Sequence, residues 1–333
     1  MTPPLTTNQQ TVPVFLAPLA GITDLPFRNL VSRFGADRVV SEMVASQEMV
    51  QAKPGVRERA ELGLGSGNTA VQIAGREAHW MAEAARQVEG RGAKIIDINM
   101  GCPAKKVTSA SGAGASGSAL MKDLDHALSL IEAVAEAVSI PVTLKTRLGW
   151  DDNMLNAPEL ARRAEAAGVA MITIHGRTRC QFYKGRADWA AIARVKAAVG
   201  VPVIANGDIV DAQSAREALA LSGADGVMIG RGAQGRPWLL AQVAAQLAGR
   251  AQDGPDVPEG AALADMVCGH YQDMLAFYGA DLGNRVARKH LGWYLADAGC
   301  NAGLRKRVLT SRDPDEVLRL LPDALSDGER AAA

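Results

Sequence analysis

Short apolar runs alternate with segments of helical periodicity along most of the chain, from residue 14 to about residue 245. The apolar runs are rich in Val, Ile and Ala, as is typical of parallel strands that are buried on both faces. Eight of these runs predict strands, at residues 14–17, 38–41, 70–74, 94–99, 142–146, 170–175, 203–206 and 226–230.

The segments between these runs predict amphipathic helices. In the segment 123–138 apolar side chains recur at a period close to 3.6 residues, and Asp123 at its start predicts an N-cap. The same reasoning predicts helices at residues 25–34, 77–89, 158–167, 188–199 and 212–221. Eight strands that alternate with helices predict an α/β fold, a (β/α)8 TIM barrel. A doubly wound open sheet is the alternative, although it usually has fewer strands.

The pattern changes near residue 249, where Gly, Asp and Pro accumulate and predict a linker. Only helix-like segments follow, at residues 261–278, 283–297, 301–310 and 314–321. We therefore predict a catalytic barrel domain and a smaller helical domain that ends in a frayed tail. The predicted boundaries are 1–247 for the barrel, 248–260 for the linker, 261–325 for the helical domain and 326–333 for the tail.

The length of the chain fits a division into two domains, and its charge balance limits the kinds of partner. A chain of 333 residues is longer than one hydrophobic core usually supports, which favours a main domain with a smaller one. The 36 basic residues equal the 36 acidic ones, so the formal net charge is zero. That balance excludes a chain-wide field for binding polyanions, but it permits a local basic patch.

The four cysteines lie far apart and form no C-x-x-C pair, so we expect neither a metal site nor a disulfide framework. Free thiols fit a reducing compartment. Residues 1–13 lack the charged and then apolar order of a signal peptide, and no apolar run approaches the roughly 20 residues of a membrane span. We therefore expect a cytoplasmic protein that has no membrane contact. Separately, we expect a monomer.

Candidate chemistry lies where the predicted strands end, because barrel enzymes place their working residues there. Strand seven ends in Asn206-Gly207-Asp208, and strand eight ends in Gly230-Arg231. Glycines let backbone N–H groups approach a phosphate closely, and Arg231 adds positive charge. These two loops predict a phosphate site; the alternative is a pair of tight turns with one exposed arginine.

Three polar residues lie within or at the end of other predicted strands. Lys145 is costly inside a barrel unless an anion pairs with it, although a solvated strand-end lysine is the alternative. Gln72 needs hydrogen-bonding partners, such as the polar edge of a flat heterocycle. His175 ends strand six, and on sequence alone it is as compatible with a structural role as with a functional one.

Cys102 follows strand four directly and lies between Gly101 and Pro103, which favours a positioned thiol over a small core residue. A thiol with an ordinary pKa near 8.5 is mostly protonated at neutral pH, so it can donate a proton. It acts as a nucleophile only if its pKa is lowered. The nearby segment 112–117 matches G-x-G-x-x-G, but it lies too far beyond the strand for a dinucleotide-binding turn.

Basic residues accumulate in the predicted helical domain. Arg285, Arg288 and Lys289 have helical spacing, and on a neutral protein this local excess indicates a polyanion-binding surface. A solvated helix face is the alternative interpretation.

Together these segments resemble the tRNA-dihydrouridine synthases, and most closely their bacterial B branch. The match runs from about residue 14 to residue 293. The residues that carry it are 17–24, 26–28, 41–43, 71–75, 97–107, Lys145, 175–178, 206–208, 230–231 and 288–290.

The resemblance implies a barrel that binds FMN and a helical domain that helps to hold tRNA. It implies reduction of the C5–C6 double bond of a D-loop uridine, with position 17 suggested by the branch and NADPH as the electron donor. The FMN contacts that it implies are Pro18, Leu19, Ala20, Gln72, Lys145, His175, Asn206, Gly207, Asp208, Gly230 and Arg231.

On the substrate side, the resemblance implies that Asn99 contacts the uracil and that Cys102 donates the proton to C5. We expect further contacts with the tRNA D-arm from Arg177, Arg285, Arg288 and Lys289. The low-complexity segment 108–116 departs from the shorter connection that the family usually has.

Three alternatives compete with this function. Another FMN barrel could reduce a free pyrimidine or an enone, but a small substrate does not need the appended basic helices. A phosphosugar lyase or isomerase would bind phosphate without redox chemistry. A tRNA-binding protein without catalysis would not need Cys102 and Lys145.

Overall fold

Closure of a parallel sheet into a barrel defines the architecture. The computed structural model describes residues 11–53, 61–62, 68–109 and 116–332, without the side chains of residues 327–332. Each of the eight barrel strands pairs with the next one along the chain, and the last pairs back with the first. The predicted TIM barrel is therefore confirmed. Within the described ranges the strands are β1 (Val14–Leu16), β2 (Arg38–Val40), β3 (Val44–Ala45), β4 (Thr69–Ala74), β5 (Ile95–Met100), β6 (Val142–Arg147), β7 (Met171–His175), β8 (Val203–Asn206) and β9 (Gly226–Ile229).

The two-residue strand β3 is an addition that the sequence did not predict. It pairs with the end of β4, whereas β2 pairs with β4 directly to complete the barrel of eight. Two residues are too few to show a periodicity, so no pattern could have revealed this strand.

Helices surround the barrel, and all six predicted ones are present with ends shifted by at most three residues. Asp123 caps its helix as predicted, because its carboxylate accepts a hydrogen bond of 3.0 Å from the backbone N–H of His126. In the part of the barrel that the structure describes, the helices are α1 (Leu25–Arg33), α2 (Ser46–Val50), α3 (Ala78–Gly90), α4 (Lys105–Thr108), α5 (Leu124–Ala137), α6 (Ala157–Ala166), α7 (Trp189–Lys196), α8 (Ala212–Ser222) and α9 (Leu239–Leu247).

Alternating residues of each strand serve two cores. Val14 and Leu16 belong to the large cluster between the strands and the surrounding helices. Phe15 and Ala17 belong to a separate cluster with residues from six other strands. The guanidinium of Arg38 lies 4.8 Å from the centre of the Phe15 ring. The separate cluster is therefore a layer inside the barrel.

The strand register brings polar residues of neighbouring strands side by side. Gln72 pairs with Asp97, Asn99 pairs with Lys145, and His175 pairs with Asn206. Paired residues of parallel strands point to the same side of a sheet. The polar residues of β4 to β8 therefore form one contiguous group near the carboxyl ends of the strands.

The C-terminal part is helical, as predicted, and comprises α10 (Gly260–Tyr278), α11 (Ala280–Asp297), α12 (Ala302–Thr310) and α13 (Pro314–Ala332). These helices share a second hydrophobic cluster, which includes Tyr271, Leu291 and Leu321. The backbone of α13 is helical to Ala332, where we predicted a frayed tail, because an established helix extends by one hydrogen bond per added residue. The domain boundaries given above remain a prediction. Among the described helices, none combines the length and apolarity needed to cross a bilayer.

Aromatic and histidine side chains join the helical part to α1 of the barrel. The Phe27 ring lies 4.8 Å from the His290 ring and 5.8 Å from the His270 ring. Both histidines are buried, and Tyr278 donates a hydrogen bond of 3.0 Å to Asp24 nearby. Burial lowers the pKa of His290 to about 4 and also lowers that of His270.

We predict that His290→Leu removes a source of acid sensitivity at this joint. An unfolded chain protonates this histidine near pH 6.5, whereas the folded chain does so only near pH 4. The contribution of the neutral His290 ring to the free energy of unfolding is therefore fully present above pH 6.5 and is lost as the pH falls towards 4. Relative to the variant, the wild type should lose up to about 1.4 kcal/mol per pH unit in that window.

Urea unfolding of both proteins between pH 7.5 and pH 4.5 measures this difference. The comparison cancels the contribution of Asp24, whose pKa is raised by burial and which has the opposite effect. His79→Leu, at an exposed histidine of α3, is the matched control. If both variants changed the pH dependence of the free energy of unfolding by the same amount, the acid sensitivity would not originate at the buried His290.

Candidate active site

A chain of buried hydrogen bonds runs across the strand ends from Asp97 to Cys102. Gln72 donates from Nε2 to the Asp97 carboxylate at 2.7 Å, and Asn99 donates from Nδ2 to Gln72 Oε1 at 2.8 Å. Asn99 Oδ1 then accepts from the backbone N–H of Cys102 at 3.0 Å and from that of Gly101 at 3.2 Å. The chain therefore links a buried carboxylate to the turn that carries the thiol.

The backbone determines which side chain donates and which accepts in each of these hydrogen bonds. Backbone N–H groups can only donate, so Asn99 must turn its oxygen towards Cys102 and its NH2 group towards Gln72. Gln72 must then turn its oxygen towards Asn99 and its NH2 group towards an acceptor. Asp97 supplies that acceptor and also accepts from the Thr143 hydroxyl at 2.6 Å.

Cys102 is half-buried, and its own backbone is held from a second side. Ser118 donates to the Cys102 carbonyl from its backbone N–H at 3.1 Å and from its hydroxyl at 2.9 Å. Gly117 has a positive φ of 56°, and a Cβ there would lie 2.8 Å from that carbonyl oxygen. Glycine is therefore required where the chain returns to the cysteine.

Lys145 and His175 meet at one oxygen. Lys145 Nζ lies 3.0 Å from Asn206 Oδ1, and His175 Nδ1 lies 3.0 Å from the same atom. Asn206 donates from Nδ2 to the Met228 carbonyl at 2.8 Å, which fixes Oδ1 as the acceptor. His175 Nδ1 must therefore carry a hydrogen, which leaves Nε2 as the acceptor facing Arg177 at 3.4 Å.

Burial shifts the ionisation of these groups. Burial, together with Arg147, lowers the pKa of Lys145, while Asp97 opposes that shift. Burial raises the pKa of Asp97, which its hydrogen bonds from Thr143 and Gln72 partly offset. Burial also lowers the pKa of His175 well below its ordinary value, so this ring is neutral at physiological pH. Strongly shifted groups at a barrel mouth are typical of an active site.

The ends of β8 and β9 carry the predicted phosphate loops. Gly207 has a φ of 115°, and a Cβ there would lie 2.8 Å from the Ala187 Cβ. Asp208 also has a positive φ, of 55°, and accepts from Ala187 N–H at 2.7 Å. The Arg231 side chain is half exposed and lies 3.4 Å from Asp208. A compact backbone next to one accessible guanidinium can hold a phosphate.

Arg177, which we expected to contact substrate, has a different environment. It is 1% exposed, and its guanidinium donates to the carbonyls of Lys184 and Gly185 and to Asp208 at 2.5 Å. Burial opposes ionisation of Asp208, but the hydrogen bond from Arg177 lowers its pKa. Arg177 therefore holds the β7–α7 loop to the end of β8, and a direct contact with substrate remains a prediction.

The turn after β1, which includes Pro18, Leu19 and Ala20, is held by side chains of its neighbours. The Leu19 N–H donates to the Thr23 hydroxyl at 2.8 Å, and the Gly21 N–H donates to buried Glu42 at 2.5 Å. Ala20 is exposed, whereas Pro18 and Leu19 are half-buried. This turn therefore presents a small apolar edge at the mouth of the barrel.

The three predicted basic residues of α11 do not share one environment. Arg285 and Lys289 are exposed, whereas Arg288 is half-buried and donates to the Ser311 carbonyl at 3.2 Å. Lys289 Nζ lies 3.2 Å from the position that a Cβ on Gly21 would occupy. The basic surface of α11 therefore begins beside the β1 turn at the barrel mouth.

Sequence reasoning missed several residues that organise the site, namely Glu42, Asp97, Arg147, Ser118 and Thr143. Asp97 had the same signal as Lys145, a charge inside an apolar strand, but it was not singled out. The other four needed the strand register or the loop path, which no local pattern contains. Residues 110–115, most of the segment 108–116, lie outside the described residues. In the described ranges, no group of three metal-binding side chains is present.

Comparison with known proteins identifies the family. The family model described as Dihydrouridine synthase (Dus) matches residues 15–328. The chain is 62% identical to a "Probable tRNA-dihydrouridine synthase" of Rhodobacter capsulatus over 320 residues, which cover 96% of each chain. It is 47% identical to the "tRNA-dihydrouridine synthase B" of Xanthomonas campestris, with 93% of this chain and 92% of the relative covered. A match that spans both the barrel and the C-terminal helices shows that this chain belongs to the dihydrouridine synthase family.

Proposed function

We propose that this protein reduces a D-loop uridine of tRNA to 5,6-dihydrouridine, with FMN as its bound cofactor and NADPH as the source of electrons. The observation that carries the proposal is the meeting of Cys102, Asn99 and Lys145 at one barrel mouth in a chain of this family. Relatives whose names specify tRNA support the substrate class. The resemblance of the sequence to the bacterial B branch favours position 17 as the target.

The residues at the mouth fit FMN. The phosphate would lie against the loops of Gly207 and Arg231, where the backbone is compact and the guanidinium is accessible. The isoalloxazine ring would lie beside Lys145 and Gln72, whose NH2 group keeps one hydrogen beyond the bond to Asp97. The remaining contacts would come from the other residues given above for FMN. Bound FMN would supply the hydride for C6 of the uracil, and NADPH would return the oxidised flavin to its reduced form.

The side chains of this protein supply the proton and the electrostatic support. Hydride addition at C6 creates enolate character along C5 and C4, and the Cys102 thiol donates a proton to C5. A positioned acid accelerates such a step by about 10²- to 10⁴-fold. Asn99 can offer only an N–H donor to the base, because its oxygen accepts from the Cys102 turn. Lys145 would stabilise the negative charge of the reduced flavin at the barrel mouth.

The substrate reaches this mouth as an unstacked nucleotide. A uridine within the tRNA fold must leave its stack to bring C5 to Cys102. Exposed Arg285 and Lys289 on α11, near the β1 turn, would bind phosphates of the D-arm. A reductase of a free pyrimidine would not need these residues, which favours tRNA as the substrate.

We predict that the purified protein is yellow and that Lys145→Met weakens FMN binding by about tenfold or more, because one charge-assisted contact is worth about 1.5–3 kcal/mol. Flavin absorbance and equilibrium dialysis measure this. Lys94→Met, which precedes β5 at the opposite end of the barrel, is the matched control. A colourless protein that cannot be loaded with FMN would rule out the redox function.

We predict that Cys102→Ala binds FMN normally but is slowed about 10²- to 10⁴-fold in reoxidation by tRNA, because the proton donor is missing. Stopped-flow absorbance of the reduced flavin under single-turnover conditions measures this rate. Cys180→Ala, at an exposed cysteine of the β7–α7 loop, should behave as the wild type. Equal rates for Cys102→Ala and the wild type would remove Cys102 from the mechanism.

We predict that neutralising Arg285, Arg288 and Lys289 together weakens tRNA binding and lowers its salt dependence. Each lost phosphate contact should reduce the slope of log K against log salt by about 0.7–0.9. Arg288 should contribute least to this slope, because it is held by Ser311. Filter binding between 50 and 300 mM salt measures the slope. A loss of catalysis at saturating tRNA with an unchanged slope would mean that α11 is not the docking surface.

A further inference from the structure

A stack of cationic and aromatic side chains lies beside the active site, and the mechanism above does not use it. The guanidinium of Arg179 lies 4.7 Å from the centres of both the Trp150 ring and the Phe182 ring. Lys122 Nζ lies 4.6 Å from the centre of the same Trp150 ring. Cations near aromatic rings are attracted to the ring quadrupole, which favours one relative arrangement of these groups.

The stack is fixed to the rigid barrel through the loops after β6 and β7. The Arg179 N–H donates to the Gly149 carbonyl at 2.9 Å, and the Cys180 N–H donates to the Trp150 carbonyl at 2.9 Å. Arg147, on β6, donates to the Phe182 carbonyl at 2.9 Å. Trp150 and Arg179 are therefore held in register by backbone hydrogen bonds as well as by their side chains.

Both ends of the segment that follows Cys102 attach to this stack. Arg179 donates from Nη2 to the Thr108 hydroxyl at 3.0 Å, at the end of α4. Lys122, which contacts Trp150, ends the 3₁₀ turn at residues 117–122. This turn carries Ser118, which binds the Cys102 carbonyl. The chain on either side of residues 110–115 thus meets the same pair of side chains.

We infer that Arg179 and Trp150 are positioning residues that set where the Cys102 thiol lies over the barrel mouth. They touch neither the reacting atoms nor the thiol, and they act through Thr108 and the turn at residues 117–122. The catalytic meaning of this placement rests on the proposed function. The placement itself does not, because it is a property of the folded chain.

Two substitutions separate positioning from general loop stability. Arg179→Met keeps a long side chain between the rings but removes the charge and the donor to Thr108. Thr108→Val keeps the shape of the residue and removes its hydroxyl, which accepts from Arg179 and also donates to the Ala104 carbonyl within α4 at 3.2 Å. Arg179→Met leaves that second hydrogen bond in place, so agreement between the two variants identifies the link between Arg179 and Thr108. Arg186→Met, at an exposed arginine of the same β7–α7 loop, is the matched control.

The primary measurement is the rate at which iodoacetamide alkylates Cys102, followed by peptide mass spectrometry with Cys300 as the internal reference. Both test variants should change this rate at least threefold relative to the wild type and the control. FMN binding and flavin reduction by NADPH should stay within twofold. Reoxidation by saturating tRNA should slow about tenfold, a loss in kcat rather than in tRNA affinity.

Alkylation rates that match the wild type in both variants would overturn the inference. If Arg179→Met fails to fold, Thr108→Val decides alone, and an unchanged rate there has the same meaning. A changed alkylation rate in a protein that never transfers electrons to tRNA would leave the positioning role intact and refute the proposed function. The two failures are therefore distinguishable.

Discussion

The pairing of β1 with β9 is the constraint on which every other feature of this molecule depends. Phe15 lies beside Met228 in this pairing, and the strands between them follow in chain order around the barrel. Closure brings the carboxyl ends of strands that are distant in sequence to one rim. Gly230 after β9 and Leu19 in the turn after β1 become neighbours only because the barrel closes there. The candidate site is thus a product of topology first and of side chains second.

Inside this rim, burial and hydrogen bonding oppose each other at each charged group. Burial disfavours the ionised forms of Asp97 and Lys145, and each of these groups favours ionisation of the other. The hydrogen bonds from Thr143 and Gln72 to Asp97, and from Lys145 to Asn206, compensate for the lost water. Buried polar groups are tolerated in proteins only under such compensation. The site therefore keeps its charges at the expense of stability, as functional sites commonly do.

The sequence allowed the barrel to be predicted because buried parallel strands produce continuous apolar runs, and their ends then gave the position of Cys102, Lys145 and the phosphate loops. Partners across strands could not be predicted, because register is a tertiary property. Arg177 illustrates the limit: the sequence predicted a contact with the tRNA, which stays a prediction, but it could not predict that the guanidinium is buried against two carbonyls and Asp208. Helical spacing likewise grouped Arg288 with exposed Lys289, although the carbonyl of Ser311 holds Arg288. Very short elements such as β3 and α4 are below the length at which periodicity is informative.

The hydrogen-bonded side-chain amides between Asp97 and Cys102 also limit which substitutions the site can accept. The direction of these hydrogen bonds is imposed by backbone N–H groups at one end, which no substitution can reverse. Replacing Asn99 with aspartate would remove the donor to Gln72, and replacing Gln72 with glutamate would place two carboxylates face to face. Neither change is tolerated unless another member of the chain changes with it or takes up a proton. Asp97, Gln72 and Asn99 therefore act as one unit with respect to substitution, because each side chain determines which donor or acceptor its neighbour must offer.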